Sequence, residues 1–367
     1  MKLAVLTSSR ADFGIYLQLL KLLENSEKFE LTIIAFGTHV SKFHGETISE
    51  IIKSGFRRIN KISSLLTDDS PLGIASSYAL TALKFSEYWA SNTYDLILCL
   101  GDRFEIQAAV QSGIPFGNRY AHFHGGETTL GAMDNIYRHQ ISLASTIHFT
   151  STEAYSKRLS EILGTSENIY NIGSLSLDNI QQLDLPSFQS LKSQFQIPDN
   201  YILCTFHPET VRFEQNQLFV KEMCKALEIL SEQNNIVITL PNADTMGTLY
   251  RESLNELKLK LGAKLSLIEN FGKLNYFSAM KNASVILGNS SSGIIESASF
   301  KKYVVNVGNR QKGRMQNPNV LNASFKSEVI INQTRKAIDF GDYEGGNIYV
   351  KGNAAESAYK ILENLKL

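Results

Sequence analysis

The chain has 367 residues, of which 43% are hydrophobic and 20% charged, with 36 basic and 36 acidic side chains. This length suffices for two domains that each bury their own core. The zero balance of charge argues against nucleic acid or an anionic membrane as the main partner, because both require a basic surplus. No apolar run approaches the length of a membrane span, so we expect no membrane-embedded segment.

The N-terminus reads as a first strand, because its apolar run over 3–6 is too short for the core of a signal peptide. Three cysteines are scattered along the chain, namely Cys99, Cys204 and Cys224, and two of them lie inside strand-like runs. This usage is typical of buried thiols in a reducing compartment rather than of a disulfide or metal framework. We therefore expect a cytoplasmic protein without a structural metal.

Short β-branched runs alternate with amphipathic helical patterns along the whole chain. The strands predicted in the first half are 3–7, 31–36, 96–100, 120–123, 147–150 and 169–172. Those predicted in the second half are 201–205, 236–239, 265–268, 284–287 and 303–307. The alternation indicates parallel sheets with right-handed crossovers, and its two sets predict an α/β fold of two Rossmann-like, doubly wound domains.

The domain boundary is predicted in the polar stretch 183–200, which Pro186 and Pro198 punctuate. We expect an N-terminal domain over 1–185, a C-terminal domain over 186–353 and a terminal helix within 354–367. The sequence leaves open whether this last helix packs back on the first domain.

Ligands of open α/β sheets bind beyond the carboxyl ends of the strands, and the strongest signal of this kind follows strand 284–287. A turn of small residues there opens a helix, with hydroxyls at Ser290 and Ser291 and a carboxylate at Glu296. Hydroxyls and helix-terminal amides suit phosphate oxygens, and the carboxylate could accept both hydroxyls of a ribose. A plain serine N-cap is the alternative. Arg310 is the first of three cations after the next strand, and this second anion-directed loop favours a phosphate-bearing ligand.

Candidate residues of the first half also follow strands. Arg10 comes after the first strand and could either bind a phosphate bidentately or pair with Asp12. Asp102 and Arg103 follow strand 96–100, where the aspartate could instead be an ordinary helix N-cap.

The densest group of ionisable residues follows strand 120–123, and its members are His122, His124, Glu127, Asp134, Arg138 and His139. A single histidine at a strand end is usually structural, but this many ionisable groups in one segment exceed what stability requires. The sequence therefore predicts a site of proton transfer in the first domain. In the second domain His207 follows strand 201–205, either as a donor to a diphosphate or as a turn residue before Pro208, and Asn242 follows strand 236–239.

These motifs together resemble the hydrolysing UDP-N-acetylglucosamine 2-epimerases of sialic acid synthesis, in the same order from residue 1 to about 320. The segments that carry the resemblance are Ser9-Arg10-Ala11-Asp12, Gly101-Asp102-Arg103, His124-Gly125-Gly126-Glu127, Asp134 with Arg138-His139, Phe206-His207-Pro208-Glu209-Thr210, 288–293 with Glu296, and 308–314. The resemblance implies two Rossmann-like domains facing a cleft, as in GT-B glycosyltransferases, and a UDP-sugar substrate without a redox cofactor. It implies N-acetylmannosamine and UDP as products.

The resemblance also implies a mechanism and roles. The proton on C2 of the sugar is removed while UDP leaves C1, and water adds to the resulting glycal with inversion at C2. Acid–base work falls to Asp102 and Asp134, and Arg138 and His207 join the catalytic set. Contacts to the diphosphate or sugar are implied for Arg10, Arg103, Ser290, Ser291 and Arg310, a ribose contact for Glu296, and a further second-domain contact for Asn242.

One departure from the family pattern concerns the second proton transfer. Many relatives carry a catalytic Glu at the position of His124, and the segment between Glu127 and Asp134 is one residue longer here. Either His124 or Glu127 then takes this role. The chain lacks the Arg-Pro-Glu-x-x-Lys start of the non-hydrolysing epimerases, which favours the hydrolysing branch.

Three alternatives stay open on the sequence. Relatives in legionaminic acid synthesis act on UDP-2,4-diacetamido-2,4,6-trideoxyglucose and look much alike. A GT-B glycosyltransferase or a non-catalytic UDP-sugar binder would share the nucleotide half. For the assembly, we expect a homodimer or homotetramer, the usual outcome for cytoplasmic enzymes of this size.

Overall fold

The computed structural model describes residues 1–42, 45–241 and 246–365. These residues divide into two compact units. The first unit contains Met1–Glu127, Met133–Asn179 and the chain from Tyr349 onward, and the second contains Thr128–Ala132 and Ile180–Ile348. The chain therefore passes from one unit to the other more than once.

The elements alternate between strand and helix in both units. The strands are β1 (Lys2–Thr7), β2 (Glu30–Ala35), β3 (Ile59–Lys61), β4 (Leu96–Leu100), β5 (Tyr120–Phe123), β6 (Ile147–Thr150), β7 (Ile169–Asn171), β8 (Tyr201–Thr205), β9 (Asn235–Thr239), β10 (Leu265–Ile268), β11 (Val285–Gly288), β12 (Val304–Val307) and β13 (Val320–Ala323). The helices are α1 (Arg10–Glu24), α2 (Ile48–Lys53), α3 (Pro71–Ser91), α4 (Phe104–Gly113), α5 (Asp134–Ala144), α6 (Glu153–Leu163), α7 (Phe188–Phe195), α8 (Asn216–Ser231), α9 (Gly247–Leu261), α10 (Lys273–Asn282), α11 (Ser291–Ile295), α12 (Ser327–Asp339) and α13 (Ala354–Glu363).

Each unit is built on one parallel sheet. The first sheet has seven strands in the order β3-β2-β1-β4-β5-β6-β7, and the second has six in the order β10-β9-β8-β11-β12-β13. Both orders reverse direction once, between β1 and β4 and between β8 and β11, as in doubly wound Rossmann-like sheets. The predicted fold class is confirmed. Each reversal opens a crevice at the carboxyl ends of the two strands, which is where such folds bind ligands.

The first unit buries both faces of its sheet, as a parallel sheet of near-continuous apolar strands requires. One face packs Leu3 and Val5 against α1 and α13, and the other packs Ala4 and Leu6 against α3 and α4. The C-terminal helix is part of this unit. Tyr359 on α13 lies edge to face with Phe29, with ring centroids 5.7 Å apart, and its hydroxyl is 2.9 Å from that of Ser26.

The second unit has a core of its own around β8 and β11, covered by α8 and α12. At its crevice the two strands approach closely. Gly288 has a φ of +141°, and a Cβ at that position would overlap the carbonyl oxygen of Thr205, so the end of β11 requires glycine. This approach sets the spacing of the two loops that follow β8 and β11.

The three cysteines are free thiols. Cys99 in β4 and Cys204 in β8 are buried, and burial raises the pKa of the Cys99 thiol to about 12. Among the described residues, no helix combines the length and apolarity needed to cross a bilayer. Over the same residues, no group of histidine, cysteine and acidic side chains is arranged to hold a metal ion.

Candidate functional site

The loop after β1 caps the N-terminus of α1. The carboxylate of Asp12 accepts hydrogen bonds from the backbone amides of Ser8 and Ser9, both at 2.9 Å, and of Phe13 at 2.8 Å. Arg10 forms an ion pair of 3.9 Å with Glu50. Because Asp12 occupies these amides, the start of α1 lacks the open phosphate cradle of a dinucleotide-binding fold. Asp12 thus has a capping role, and the phosphate contact of Arg10 stays a prediction.

Arg138 connects three of the candidate proton-transfer residues of the first unit. It is buried on α5, and its Nη2 pairs with the carboxylate of Asp102, which follows β4. Its Nη1 donates to the carbonyl oxygen of His124 at 2.8 Å and lies 3.9 Å from Glu127 Oε2. We call Asp102, His124, Glu127 and Arg138 the acid–histidine cluster. The structure thus brings these four residues together in the first unit.

Within this cluster, His124 and Glu127 form a carboxylate–imidazole pair. Nδ1 of His124 lies 3.0 Å from Glu127 Oε1, and that oxygen also accepts a hydrogen bond of 2.7 Å from Ser151 Oγ. A carboxylate only accepts, so Nδ1 carries the proton and Nε2 is left as the basic nitrogen. Nε2 is buried without a hydrogen-bond partner among the described residues. A histidine held in this way can exchange a proton with a bound molecule.

The backbone of His124 is strained. Its φ is +65°, in a region that side chains other than glycine rarely adopt. Two hydrogen bonds hold the backbone in this conformation. Arg138 donates to the His124 carbonyl oxygen, and the His124 amide donates to Phe149 O at 2.8 Å. Residues held in such conformations concentrate at functional sites, where the surrounding contacts fix the side chain.

His122 has a structural role. Its Nε2 lies 2.8 Å from the carbonyl of Gly101 and must donate to it, so Nδ1 accepts from Ser142 Oγ at 2.9 Å. Burial lowers the pKa of His122 well below its ordinary value, and this imidazole is therefore neutral. It ties the loop that carries Asp102 to α5. Burial lowers the pKa of His139 as well, and the nearby Arg158 and Arg138 add to the shift.

Two other predicted residues of the first unit lie at helix starts. Arg103 donates through Nε and Nη2 to both carboxylate oxygens of Glu105, at 3.2 and 2.8 Å, and Glu105 is fully buried. This pair fixes the direction of the guanidinium. Asp134 is the first residue of α5, where a carboxylate is stabilised by the helix dipole. Burial raises the pKa of Tyr137, and the nearby Asp134 carboxylate adds to the shift.

In the second unit, Asn289 clamps His207. The side-chain Oδ1 of Asn289 accepts from His207 N at 2.7 Å, and Nδ2 donates to His207 O at 2.8 Å. Asn289 is fully buried at the end of β11. The clamp joins the loops that follow the two strands at the crevice and fixes the backbone on which the His207 imidazole stands.

The loop 308–314, which we call the anion loop, is braced against the same residues. Oε1 of Glu209 accepts from the backbone amides of Asn309 and of Arg310, the latter at 3.1 Å. Nη1 of Arg310 donates to the carbonyl of Asn289 at 3.3 Å, and Gln311 Nε2 donates to it at 3.0 Å. Burial raises the pKa of Glu209. The loops after β8, β11 and β12 therefore form one connected set.

Sequence reasoning did not single out Asn289 and Glu209. Both stand inside the motifs that carried the prediction, between or beside the predicted binding residues. Their role depends on partners about 80 to 100 positions away in the chain, at sequence separations of 82 for Asn289 and 101 for Glu209. Only the folded chain brings these partners together.

The serine turn after β11 opens a short helix. Ser290 caps α11, and its Oγ accepts from Ser292 N at 3.4 Å. The helix spans only Ser291–Ile295, so its dipole is smaller than that of a longer helix, and the predicted free amides are partly taken up by the cap. Glu296 follows the helix and is buried. Asn242 lies outside the described residues.

The chain is similar to proteins of one known family. The model of the UDP-N-acetylglucosamine 2-epimerase family matches residues 21–363. A GDP/UDP-N,N'-diacetylbacillosamine 2-epimerase (hydrolyzing) of Campylobacter jejuni is 34% identical over 326 residues, covering 88% of this chain and 84% of the relative. A UDP-N,N'-diacetylbacillosamine 2-epimerase (hydrolyzing) of Legionella pneumophila is 32% identical over 368 residues. The alignment covers 100% of this chain and 96% of the relative.

A comparison of folds finds the same two-sheet architecture in a solved structure. A crystal structure of UDP-GlcNAc 2-epimerase from Neisseria meningitidis bound to UDP-GlcNAc superposes with a TM-score of 0.81 at 16% identity, over 99% of both chains. The resemblance inferred from the motifs is confirmed by the family match over most of the chain. The chain belongs to the UDP-N-acetylglucosamine 2-epimerase family.

Proposed function

We propose that the protein hydrolyses UDP-N-acetylglucosamine with epimerisation at C2 and releases N-acetylmannosamine and UDP for sialic acid-type sugar synthesis. The observation that carries the proposal is the acid–histidine cluster, in which Arg138 links Asp102 to the carboxylate–imidazole pair. Proton removal and return at carbon require such groups, whereas nucleotide binding alone does not. Membership of the family supports the same reaction.

The reaction would proceed by elimination and hydration. A base takes the hydrogen on C2, the electrons of that bond form the C1–C2 double bond, and the C1–O bond breaks with its electron pair leaving on UDP. Water then adds through oxygen to C1, and a proton returns to C2 on the opposite face. We assign the first proton to Asp102, with Asp134 as the partner acid or base.

The second proton transfer falls to Nε2 of His124, with Glu127 orienting the ring. The hydrogen bond between Nδ1 and Glu127 supports this division, because it leaves the other nitrogen for the substrate. Glu127 itself is engaged by Ser151 and by the imidazole. It therefore acts as a positioning residue rather than swinging to the sugar.

The second domain would bind UDP. His207, Arg310, Ser290 and Ser291 would meet the diphosphate. Support comes from the bracing of their loops by Asn289 and Glu209, because donors fixed in advance stabilise a leaving group without further reorganisation. The remaining contacts of the proposal are Glu296 to the ribose, and Arg10, Arg103 and Asn242 to the diphosphate or sugar.

UDP-2,4-diacetamido-2,4,6-trideoxyglucose is the second candidate substrate. The relatives from Campylobacter and Legionella are both named for diacetylbacillosamine, which favours a diacetamido sugar of legionaminic acid synthesis. Rates measured side by side on the two UDP-sugars decide between them. A higher kcat/KM on the diacetamido sugar would assign the protein to that branch with the same chemistry.

Incubation with UDP-N-acetylglucosamine and no acceptor tests the reaction class. The proposal predicts free UDP and a 2-epimeric sugar in equal amounts. A glycosyltransferase would need an acceptor for full turnover and would leave C2 unchanged, and a UDP-sugar binder would return the substrate intact. Either of these results would contradict the proposal.

For the assembly, we propose a homodimer or homotetramer in the cytoplasm. Apolar side chains lie exposed on α3 and α5, namely Leu72, Leu83, Ile136 and Leu143. Tyr78 and Tyr137 stack with centroids 6.5 Å apart and bring these two helices side by side. An exposed apolar surface of this kind is typical of a subunit interface and supports the proposal. Light scattering on the purified protein would give the subunit number, and a monomer would contradict it.

A further inference from the structure

The segment Thr128–Ala132 belongs to the second unit, although the residues on both sides of it belong to the first. We call this segment the strap. Glu127 of the acid–histidine cluster directly precedes it, and Asp134 begins α5 just beyond it. Within the strap, Thr128, Thr129 and Ala132 are buried. A buried loop between the positioning residue Glu127 and the proposed proton-transfer residue Asp134 must be held by specific contacts, because loops normally lie at the surface.

The strap is held by the backbone of the anion loop. Leu130 N donates to the carbonyl of Lys312 at 2.9 Å. At Gly131 there is no room for a side chain, since a Cβ would overlap the Asn309 carbonyl and lie 2.7 Å from Arg310 Cα. On the other side, a Cβ on Gly313 would lie 2.7 Å from Thr128 Cγ2. The two backbones are therefore in direct van der Waals contact.

We propose that the strap couples the diphosphate site to the proton-transfer groups, with Gly131 and Thr128 as positioning residues. The inference rests on the proposed function, because it takes the anion loop as the diphosphate site. A diphosphate that orders the anion loop also orders the strap, and the strap then fixes Glu127 at one end and Asp134 at the other. Displacement of a reacting group by about 1 Å can cost on the order of 100-fold in rate.

Gly131→Ala tests the coupling most directly. The added methyl has no space, so the strap must move away, while Glu209 and Asn289 still hold the anion loop and His207. We expect kcat to fall roughly 30-fold or more, with the dissociation constant for UDP, measured by calorimetry, changed less than about threefold. Gly346→Ala is the matched control. It adds the same methyl to another glycine of the second unit, with no atom within 4 Å of the new Cβ, and should change neither quantity.

Thr128→Ser supplies a milder variant that decides the question even if Gly131→Ala does not fold. It removes the methyl group that faces Gly313 and keeps the hydroxyl. The readout is hydrogen exchange of a peptide covering 124–134, with and without UDP. In the wild type UDP should slow this exchange, and in Thr128→Ser the slowing should be smaller and kcat several-fold lower.

Two outcomes overturn the coupling. One is that UDP leaves the exchange of 124–134 unchanged in the wild type, or slows it equally in Thr128→Ser with full kcat. The other is that Gly131→Ala weakens UDP binding in parallel with kcat, which would mean that the glycine only shapes the anion loop. Failure of the proposed function looks different, because the wild type would then make no UDP from the sugar nucleotide at all.

Discussion

Asn289 and His207 are joined by two hydrogen bonds between one side chain and one backbone residue, with lengths of 2.7 and 2.8 Å. Asn289→Ala removes both partners and leaves a buried N–H and a buried carbonyl unsatisfied. Each such group costs about 1–3 kcal/mol, so we expect the free energy of unfolding of the second unit to fall by about 2–6 kcal/mol. UDP binding should weaken as well, because His207 loses its fixed backbone.

Urea denaturation followed by circular dichroism measures this change. Asn282→Ala is the matched control, since Asn282 is exposed on α10 and its Nδ2 donates a hydrogen bond of 2.8 Å to Ser278 O. Its effect should be below about 1 kcal/mol. An equal effect of the two substitutions would show that the two hydrogen bonds of Asn289 do not stabilise the second unit more than an exposed asparagine does.

Asp102→Asn separates chemistry from binding. The amide keeps the shape of the side chain but cannot take a proton from C2. We expect kcat to fall by about 10²- to 10⁴-fold, while the affinity for UDP stays within a few-fold of the wild type. Asp95→Asn changes an exposed aspartate that accepts from Lys2 N at 2.7 Å and serves as the control. Full activity of Asp102→Asn would remove the aspartate from the mechanism.

His124 and Glu127 should behave as one functional pair. If Glu127 acts through the imidazole, Glu127→Gln and His124→Gln each lower kcat, and the double variant loses no more than His124→Gln alone. Independent roles would instead give losses of activation free energy that add. Steady-state rates of the four proteins form a complete double-mutant cycle. Additive losses would mean that Glu127 itself exchanges a proton with the sugar.

His148 should make the stability of the first unit depend on pH. It is buried in β6, and burial lowers its pKa to about 4. In the unfolded chain the pKa is about 6.5, so between these values the unfolded state binds more protons. The neutral His148 imidazole therefore makes its full contribution to the free energy of unfolding above about pH 6.5. This contribution is lost as the pH falls, by about 2 kcal/mol between pH 6.5 and 5. His148→Gln should lose this part of the slope in urea titrations. An unchanged slope would contradict the neutral, buried imidazole.

The fold could be read from the sequence because its central strands are long apolar runs. The predicted strands at 96–100 and 201–205, for example, coincide with β4 and β8. Two edge strands were missed, β3 (Ile59–Lys61) and β13 (Val320–Ala323). Both are short and partly exposed, so neither shows the continuous hydrophobicity that marks a buried parallel strand.

From the sequence we could predict which candidate residues follow each strand, but not the contacts that these residues make. Asp102 and His124 follow strands of the first sheet, and His207 follows a strand of the second. Because each residue comes directly after a parallel strand, its position in the chain is enough to place it at the carboxyl edge of its sheet. The hydrogen bond that turns His124 Nε2 outward from Glu127 depends on a left-handed backbone, and the strap depends on contacts with residues near 310. Such long-range relations have no periodic signal in a single sequence.

Isotope labelling tests the elimination mechanism, the central claim, most directly. Product formed from UDP-N-acetylglucosamine in heavy water should carry deuterium at C2, because the proton returned to C2 comes from a second group, His124 in this account, that has exchanged with solvent. Product formed in oxygen-18 water should carry the label on the C1 oxygen of the sugar, with none on UDP, because the C1–O bond breaks. Retention of the original hydrogen at C2, or label on UDP, would contradict the account.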